Sequence, residues 1–342
     1  MEIDGAHGEG GGQLLRTAVA LAAITQCPLV VRNIRARRSP PGMAPQHLLA
    51  VRAVAALCDA EVEGLELRSQ TLRFTPHTLH CGTHRFEVGT AGSVTLVLQA
   101  LLPVMVASRQ PVTVSVTGGT DVRQAPAMDY FAYVILPLLA HMGIEPHLEV
   151  TRRGYYPRGG GEVRVTLAPV RLTPLFMDAT APVVCIEGRV HVANLPAHVA
   201  TRMRDAALGR LSAGSSIEPR IAVEVLDSAR AVGAGGAVVV WARTTRSVIG
   251  AGRVAERGVP AEVLGAAVGG EVIADMTSGA TVDMHAADQL LIYLAMAGDG
   301  SYLTRSLTSH ARTAVWLIEQ FLPVRFCMTD EGGLVRVGIR RT

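Results

Sequence analysis

Strand and helix signals return in one order along this chain, and that recurrence constrains the fold more than any other feature. A short strand around Ile3 leads through a glycine loop into an apolar helix over 13–24. A strand over 29–34, a helix over 45–57 and two short alternating strands near Val62 and Leu72 follow. The order is βαβαββ. It comes back as a strand over 84–88, a helix over 93–107, a strand over 112–116, a helix over 128–142 and paired strands over 148–150 and 162–167. A third copy is predicted from a short strand over 280–283, a helix over 287–297, a strand over 302–306, a helix over 310–321, and strands over 324–328 and 334–339 around the turn Asp330-Glu331-Gly332-Gly333.

Each such unit exposes an apolar sheet face that it cannot bury alone, so packing three together suits a chain that is 49% apolar and only 18% charged. Between the second and third copies, 183–276 breaks the pattern. It offers strands over 184–192, 221–225, 237–242 and near Ser247, with helices over 197–211 and 261–274, and reads as a small inserted α/β domain. The expected fold is α/β (α+β): a body of three βαβαββ repeats from 1–182 and 277–342, and an insert, 183–276, before the third repeat.

All 32 basic Lys/Arg positions are arginine, so chemistry that needs a lysine is excluded: the Walker lysine of P-loop NTPases, Schiff-base aldolases and pyridoxal enzymes, and lysyl-adenylate nucleotidyltransferases. The five cysteines are scattered and never form a CxxC pair, which suggests neither a disulfide framework nor a zinc ribbon and points to a reducing, cytoplasmic setting. The N-terminal MEIDGAHGEGGG carries acids and glycines where a signal peptide would be basic and then apolar. Residues 88–108 run uncharged for long enough to span a bilayer, but Gly89, Thr90, Gly92, Ser93, Gln99 and Pro103 among them predict a buried helix.

Four places carry candidate chemistry. Gly8-Glu9-Gly10-Gly11-Gly12 opens directly onto a helix, either as an anion cradle or as a tight strand-to-helix turn, and Arg16 falls on the same helix face as Gln13. Arg32, Arg35, Arg37 and Arg38 precede Pro40-Pro41-Gly42, as a phosphate clamp or as a solvated face. His310 falls in the first turn of the last helix, where the helix N-terminus keeps an imidazole neutral, although a solitary histidine is more often structural. Asp283, His285 and Asp288 form an acid-rich turn that suits ribose hydroxyls, a divalent cation or plain N-capping.

Taken together, these segments resemble the RNA 3′-terminal phosphate cyclase family over nearly the whole chain. The words that carry the resemblance are DGAHGEGGGQLLRTAVALA (4–22), IRARRSPPGMAPQHL (34–48), GTAGSVTLVLQALLP (89–103), GGTDVRQAPAMDY (118–130), GYYPRGGGEV (154–163), ADQLLIYLAMAG (287–298) and SHARTAVWLIEQFLPVRF (309–326). The resemblance implies three βαβαββ repeats, similar to the C-terminal domain of translation initiation factor three, and a small insert before the last. It implies an enzyme that uses ATP and a divalent cation (Mg or Mn) on RNA 3′-phosphate ends. A histidine takes AMP and expels pyrophosphate, AMP passes to the RNA phosphate, and the vicinal 2′-OH displaces it to leave a 2′,3′-cyclic phosphate.

On this resemblance His310 is the nucleophile and Glu9 the metal ligand. Arg16, Arg35, Arg38, Gln46 and His47 surround the transferred or terminal phosphates. Gln13, Gln99 and Pro126 belong to the nucleotide pocket, together with His285, Ala286, Ala287, Asp288 and Gln289. One departure is His285, where the family usually has a tyrosine that stacks on the nucleobase; imidazole is a smaller π-surface. No membrane contact and no stable protein partner is implied. Two other readings compete. A cyclase-like ribosome-assembly protein keeps the fold without the catalytic histidine, which His310 argues against, and an enolpyruvyl transferase uses lysines missing here.

Overall fold

The computed structural model describes all 342 residues. The first unit is β1 (Glu2–Asp4), α1 (Gly12–Thr25), β2 (Leu29–Arg32), α2 (Pro45–Cys58), β3 (Glu61–Glu63) and β4 (Leu72–Thr75). The second is β5 (Gly82–Glu87), α3 (Val94–Ser108), β6 (Val112–Gly118), α4 (Met128–Tyr130), a π-helical turn (Phe131–Ile135), α5 (Leu136–Ala140), β7 (His147–Gly154) and β8 (Gly161–Leu167). Pro137 explains the widened turn: it has no N–H to give and its ring would press on the carbonyl four residues back, and Leu136 N–H reaches Phe131 O instead.

After β8 comes a three-residue strand, β9 (Leu175–Met177), and only then the insert: β10 (Val183–Ala193), α6 (Ala197–Gly214), β11 (Pro219–Leu226), β12 (Ala231–Val232), β13 (Gly235–Thr244), β14 (Val248–Val254) and α7 (Ala261–Ser278). The chain closes with α8 (Met284–Ala297), β15 (Asp299–Thr304), α9 (Ser309–Phe321), β16 (Val324–Glu331) and β17 (Leu334–Arg341).

The insert's sheet is β11-β10-β13-β14, and those of the three units are β1-β2-β4-β3, β5-β6-β8-β7-β12 and β9-β15-β17-β16. In each unit's sheet, the first two strands run parallel and the next two pairs antiparallel, and in the second sheet β12 then adds in parallel to β7. The parallel first strand of the third sheet is therefore β9 and not 280–283, which forms no strand. The insert accordingly lies inside the third unit, between its first strand and first helix, rather than before it. Residues 280–283 still lie beside that sheet: the Thr281 hydroxyl donates to Met177 O and the Val282 amide to Leu303 O.

One apolar core of 70 buried residues runs through all three units, while the insert's sheet and its helices α6 and α7 enclose a separate core of 15. The insert is nevertheless tied to the second unit, because β12 pairs in parallel with β7. The uncharged stretch predicted as a buried helix is α3, and no helix is long and apolar enough to cross a membrane.

Candidate active site

The start of α9 is the meeting point. Thr308 caps it, its hydroxyl accepting from the Ala311 amide and donating to Asp288 Oδ2 at 2.7 Å. The next residue, Ser309, donates to Glu9 Oε2 at 3.2 Å, and His310 Nδ1 lies 2.6 Å from the same oxygen. Glu9 Oε1 accepts from Arg38 Nη2 at 2.7 Å. One carboxylate thus joins the glycine loop, the arginine loop and the first turn of α9.

Two glycines make this approach possible. Gly8 has a left-handed backbone (φ +58°), and a Cβ there would sit 2.4 Å from the Thr313 hydroxyl; on Gly12 it would sit 1.9 Å from His47 Nε2. The N-cap of α1 is Gly11, with no side-chain cap and no acid in the first turn, so its amides remain available to an anion.

The side chain of His310 is 45% exposed, open to a substrate. Partial burial pushes its pKa below the ordinary histidine value, and Arg16, Arg38 and His285 push the same way against Glu9. A neutral ring that donates its Nδ1–H to Glu9 carries its lone pair on Nε2, the nucleophilic atom.

Along α9, Ala314 and Ile318 lie one and two turns below His310 on one face. They help to line a cavity of about 50 Å³ whose polar wall is Gln13, Arg16, Gln99, Asp288 and Gln289 and whose apolar wall includes Phe131, Ile135 and Ile292. Gln99 Nε2 donates to Gln289 Oε1 at 2.7 Å. Burial pushes the Asp288 carboxyl up to about 7, and its Oδ1 is buried with no partner, an acceptor waiting for a donor such as a sugar hydroxyl. Burial also brings Arg16 down to about 10, which leaves it charged.

Of the residues singled out from the sequence, Glu9, Gln13, Arg16, Arg38, Gln99, Asp288, Gln289 and His310 meet at this cavity and its mouth. Three flank it. His47 is buried, its ring down to about 3 through burial and then the charges of Arg16 and Arg35. Arg35 (φ 51°) spends Nη1 on the carbonyls of Pro40 and Gly42, so part of its guanidinium holds the loop. His285 is exposed in the first turn of α8.

The others lie off the cavity. Gln46 sits by Gly92, Pro126 gives its carbonyl to the Thr95 hydroxyl, and Ala286 and Ala287 are fully buried in the core. Asp283 is an N-cap: its Oδ1 accepts from the His285 and Ala286 amides and from the Tyr130 hydroxyl. Sequence reasoning missed the cavity walls Phe131 and Ile135, although their i, i+4 spacing after the MDY word was the available signal. It also missed that Ser309 bonds Glu9.

No group of three or more His, Cys, Asp or Glu side chains could hold a metal ion here. A hard divalent cation is often held by one carboxylate together with substrate phosphates and water, and Glu9 fits that donor set.

Comparison with known proteins gives one consistent result. The family model for RNA 3′-terminal phosphate cyclase matches residues 7–328. The chain is 55% identical to the RNA 3′-terminal phosphate cyclase of Nitrosospira multiformis, with 98% of this chain and 95% of the relative covered. It is 43% identical to that of Pyrobaculum aerophilum (97% and 96% covered) and 40% identical to that of Methanosarcina barkeri (99% of both).

Proposed function

The chain belongs to the RNA 3′-terminal phosphate cyclase family and is an enzyme of that kind, and on that premise we propose that it spends one ATP to close an RNA 3′-phosphate into a 2′,3′-cyclic phosphodiester through an AMP adduct on His310. The observation that carries the reading is the position of His310. It stands on the cavity-lining face of α9, half-exposed, with Nδ1 held by Glu9.

In the first step His310 Nε2 attacks the α-phosphorus of ATP, an N–P bond forms, and the bond to the bridging oxygen breaks to release pyrophosphate. Glu9 fixes the ring's tautomer and rotamer. Arg16 and Arg38 face the charge that develops on the phosphoryl oxygens, where fixed donors act most strongly. Asp288 Oδ1 receives a ribose hydroxyl. A divalent cation, held by Glu9 and the phosphates, would neutralise triphosphate charge.

In the second step an oxygen of the RNA 3′-phosphate attacks the same phosphorus, the N–P bond breaks, and the imidazole is restored. In the third, the 2′-oxygen attacks the RNA phosphorus, its proton is lost to solvent, and AMP leaves. Splitting one displacement into three gives each step a good leaving group.

The test is incubation with α-labelled ATP. An acid-labile, base-stable protein adduct that His310→Ala cannot form supports the reading; an adduct that survives this substitution overturns it.

A further inference from the structure

The face of the insert's sheet that points away from the insert's own core is half used. On β10 and β13 that face carries Glu187, Arg189, Trp241 and Arg243, while Ile186, Val190, Val238, Val240 and Ala242 alternate with them into the core. Trp241 stacks on Tyr133 of the π-helical turn with ring centroids 4.5 Å apart and planes within 6°, and the Arg189 guanidinium lies over the same Tyr133 ring at 5.1 Å. Beside this ladder an open cleft of about 700 Å³ is lined by these residues and Arg220 of β11.

The charges in the cleft are unbalanced. Glu187 accepts from Trp241 Nε1 at 3.2 Å and faces Arg243 Nε at 3.5 Å, so the one acid is shared out, whereas Arg189 and Arg220 are exposed and have no ion-pair partner. The exposed guanidiniums, that of Arg189 backed by the Tyr133 ring, supply what single-stranded RNA uses: flat planes on which bases stack and cations for the phosphates.

The cleft also backs onto the apolar wall of the cavity. Tyr133 is two residues from both Phe131 and Ile135, which line the cavity below His310. Two residues is about half a helical turn, so the cleft and the cavity lie on opposite sides of one helix about 10–12 Å thick.

We propose that this cleft is a second RNA-binding surface, which holds single-stranded nucleotides upstream of the 3′ end that reacts at His310. The proposal rests on the cyclase reading of the active site and adds to it a preference for substrates longer than the terminal residues.

The test compares a dinucleotide and a longer unstructured oligoribonucleotide, each with a 3′-phosphate, in the parent enzyme and in an Arg189→Ala, Arg220→Ala double variant. The expected result is that the KM of the longer RNA rises about fivefold or more in the variant, with its kcat and both parameters of the dinucleotide unchanged. Anisotropy with the same oligomer ending in a 3′-hydroxyl should weaken similarly, its salt slope shallower by about 1.4 for two lost phosphate contacts. Arg220→Glu should weaken binding further than Arg220→Ala. Identical length dependence and identical anisotropy in parent and variant overturn the proposal. So does loss of an acidic peptide's binding with RNA affinity intact, which would assign the cleft to a protein. If the parent cyclises neither RNA, the cyclase reading fails, and the 3′-hydroxyl anisotropy still decides for or against the cleft.

Discussion

Glu9 Oε2 and His310 Nδ1 are 2.6 Å apart although nearly the whole chain separates them in sequence, and the carboxylate raises the imidazole pKa while Arg38 lowers it. If His310 is adenylylated as proposed, the two neighbours should move the pH profile of that step in opposite directions. The rate should rise as His310 loses its proton, with a midpoint below the ordinary histidine value of about 6.5. Glu9→Gln should shift that midpoint to lower pH, and Arg38→Ala to higher pH, each with a smaller plateau. Measured single-turnover profiles with unmoved midpoints would remove both residues from contact with the ring.

Ala314 offers a test of whether the cavity takes ATP, as proposed, or RNA. It lies one turn below His310 and is 6% exposed on the cavity wall. Ala314→Leu puts a larger side chain into a space of about 50 Å³, and overpacking of this kind costs about 1–3 kcal/mol. The KM for ATP should rise at least about tenfold, corresponding to about 1.4 kcal/mol, while the KM for RNA stays near the parental value. The opposite pattern would make the cavity an RNA subsite.

How much of this is legible in the sequence varies with the physical signal. Long apolar helices such as α1 and α3 and the strands after them announce themselves by periodicity, and the glycine loop and His310 by their place at helix starts. β9 does not: Leu175-Phe176-Met177 is too short to show alternation, and its partner β15 lies beyond the whole insert. That is why the insert's point of entry was misplaced. The convergence of Glu9, Arg38, Ser309 and His310 rests on contacts between distant segments, which no local pattern encodes. Ala286 and Ala287 are fully buried in the core, and a word shared with a family marks core residues as readily as contacts.

Asp288 couples the site to stability. Burial raises its carboxyl from an ordinary value of 3.8 to about 7, so between those values the folded state binds a proton that the unfolded state lacks. Its contribution is therefore full at low pH and is lost as pH rises from about 4 to 7. Asp288→Asn keeps the shape and removes the titration, and denaturant melts should show a variant that gains on the parent by about 4 kcal/mol across that window. Curves that stay parallel from pH 4 to 7 would contradict a raised carboxyl.

The joint between the insert and the second unit makes the largest stability prediction. Arg153 is 7% exposed and bonds two buried carboxylates, Asp121 Oδ2 at 3.1 Å and Asp129 Oδ1 at 2.6 Å. Its Nη1 also lies 2.9 Å from Nε2 of His191 on the insert's β10, whose Nδ1 meets the Tyr155 hydroxyl at 2.8 Å. Burial alone would raise the Asp121 pKa, but Arg153 and then His191 hold it well below the usual carboxylate range. Arg153→Met leaves both acids buried without their cation, a loss of about 3–5 kcal/mol. Replacing Asp121 and Asp129 by Asn in the same chain removes the stranded charges and should restore part of it. Because a depressed carboxyl stabilises above its unfolded pKa and loses that contribution as pH falls, the gap between parent and Arg153→Met should narrow on acidification. Thermal melts at neutral and acid pH read both effects, and a gap that widens as pH falls would show that Arg153 is not what neutralises the pair.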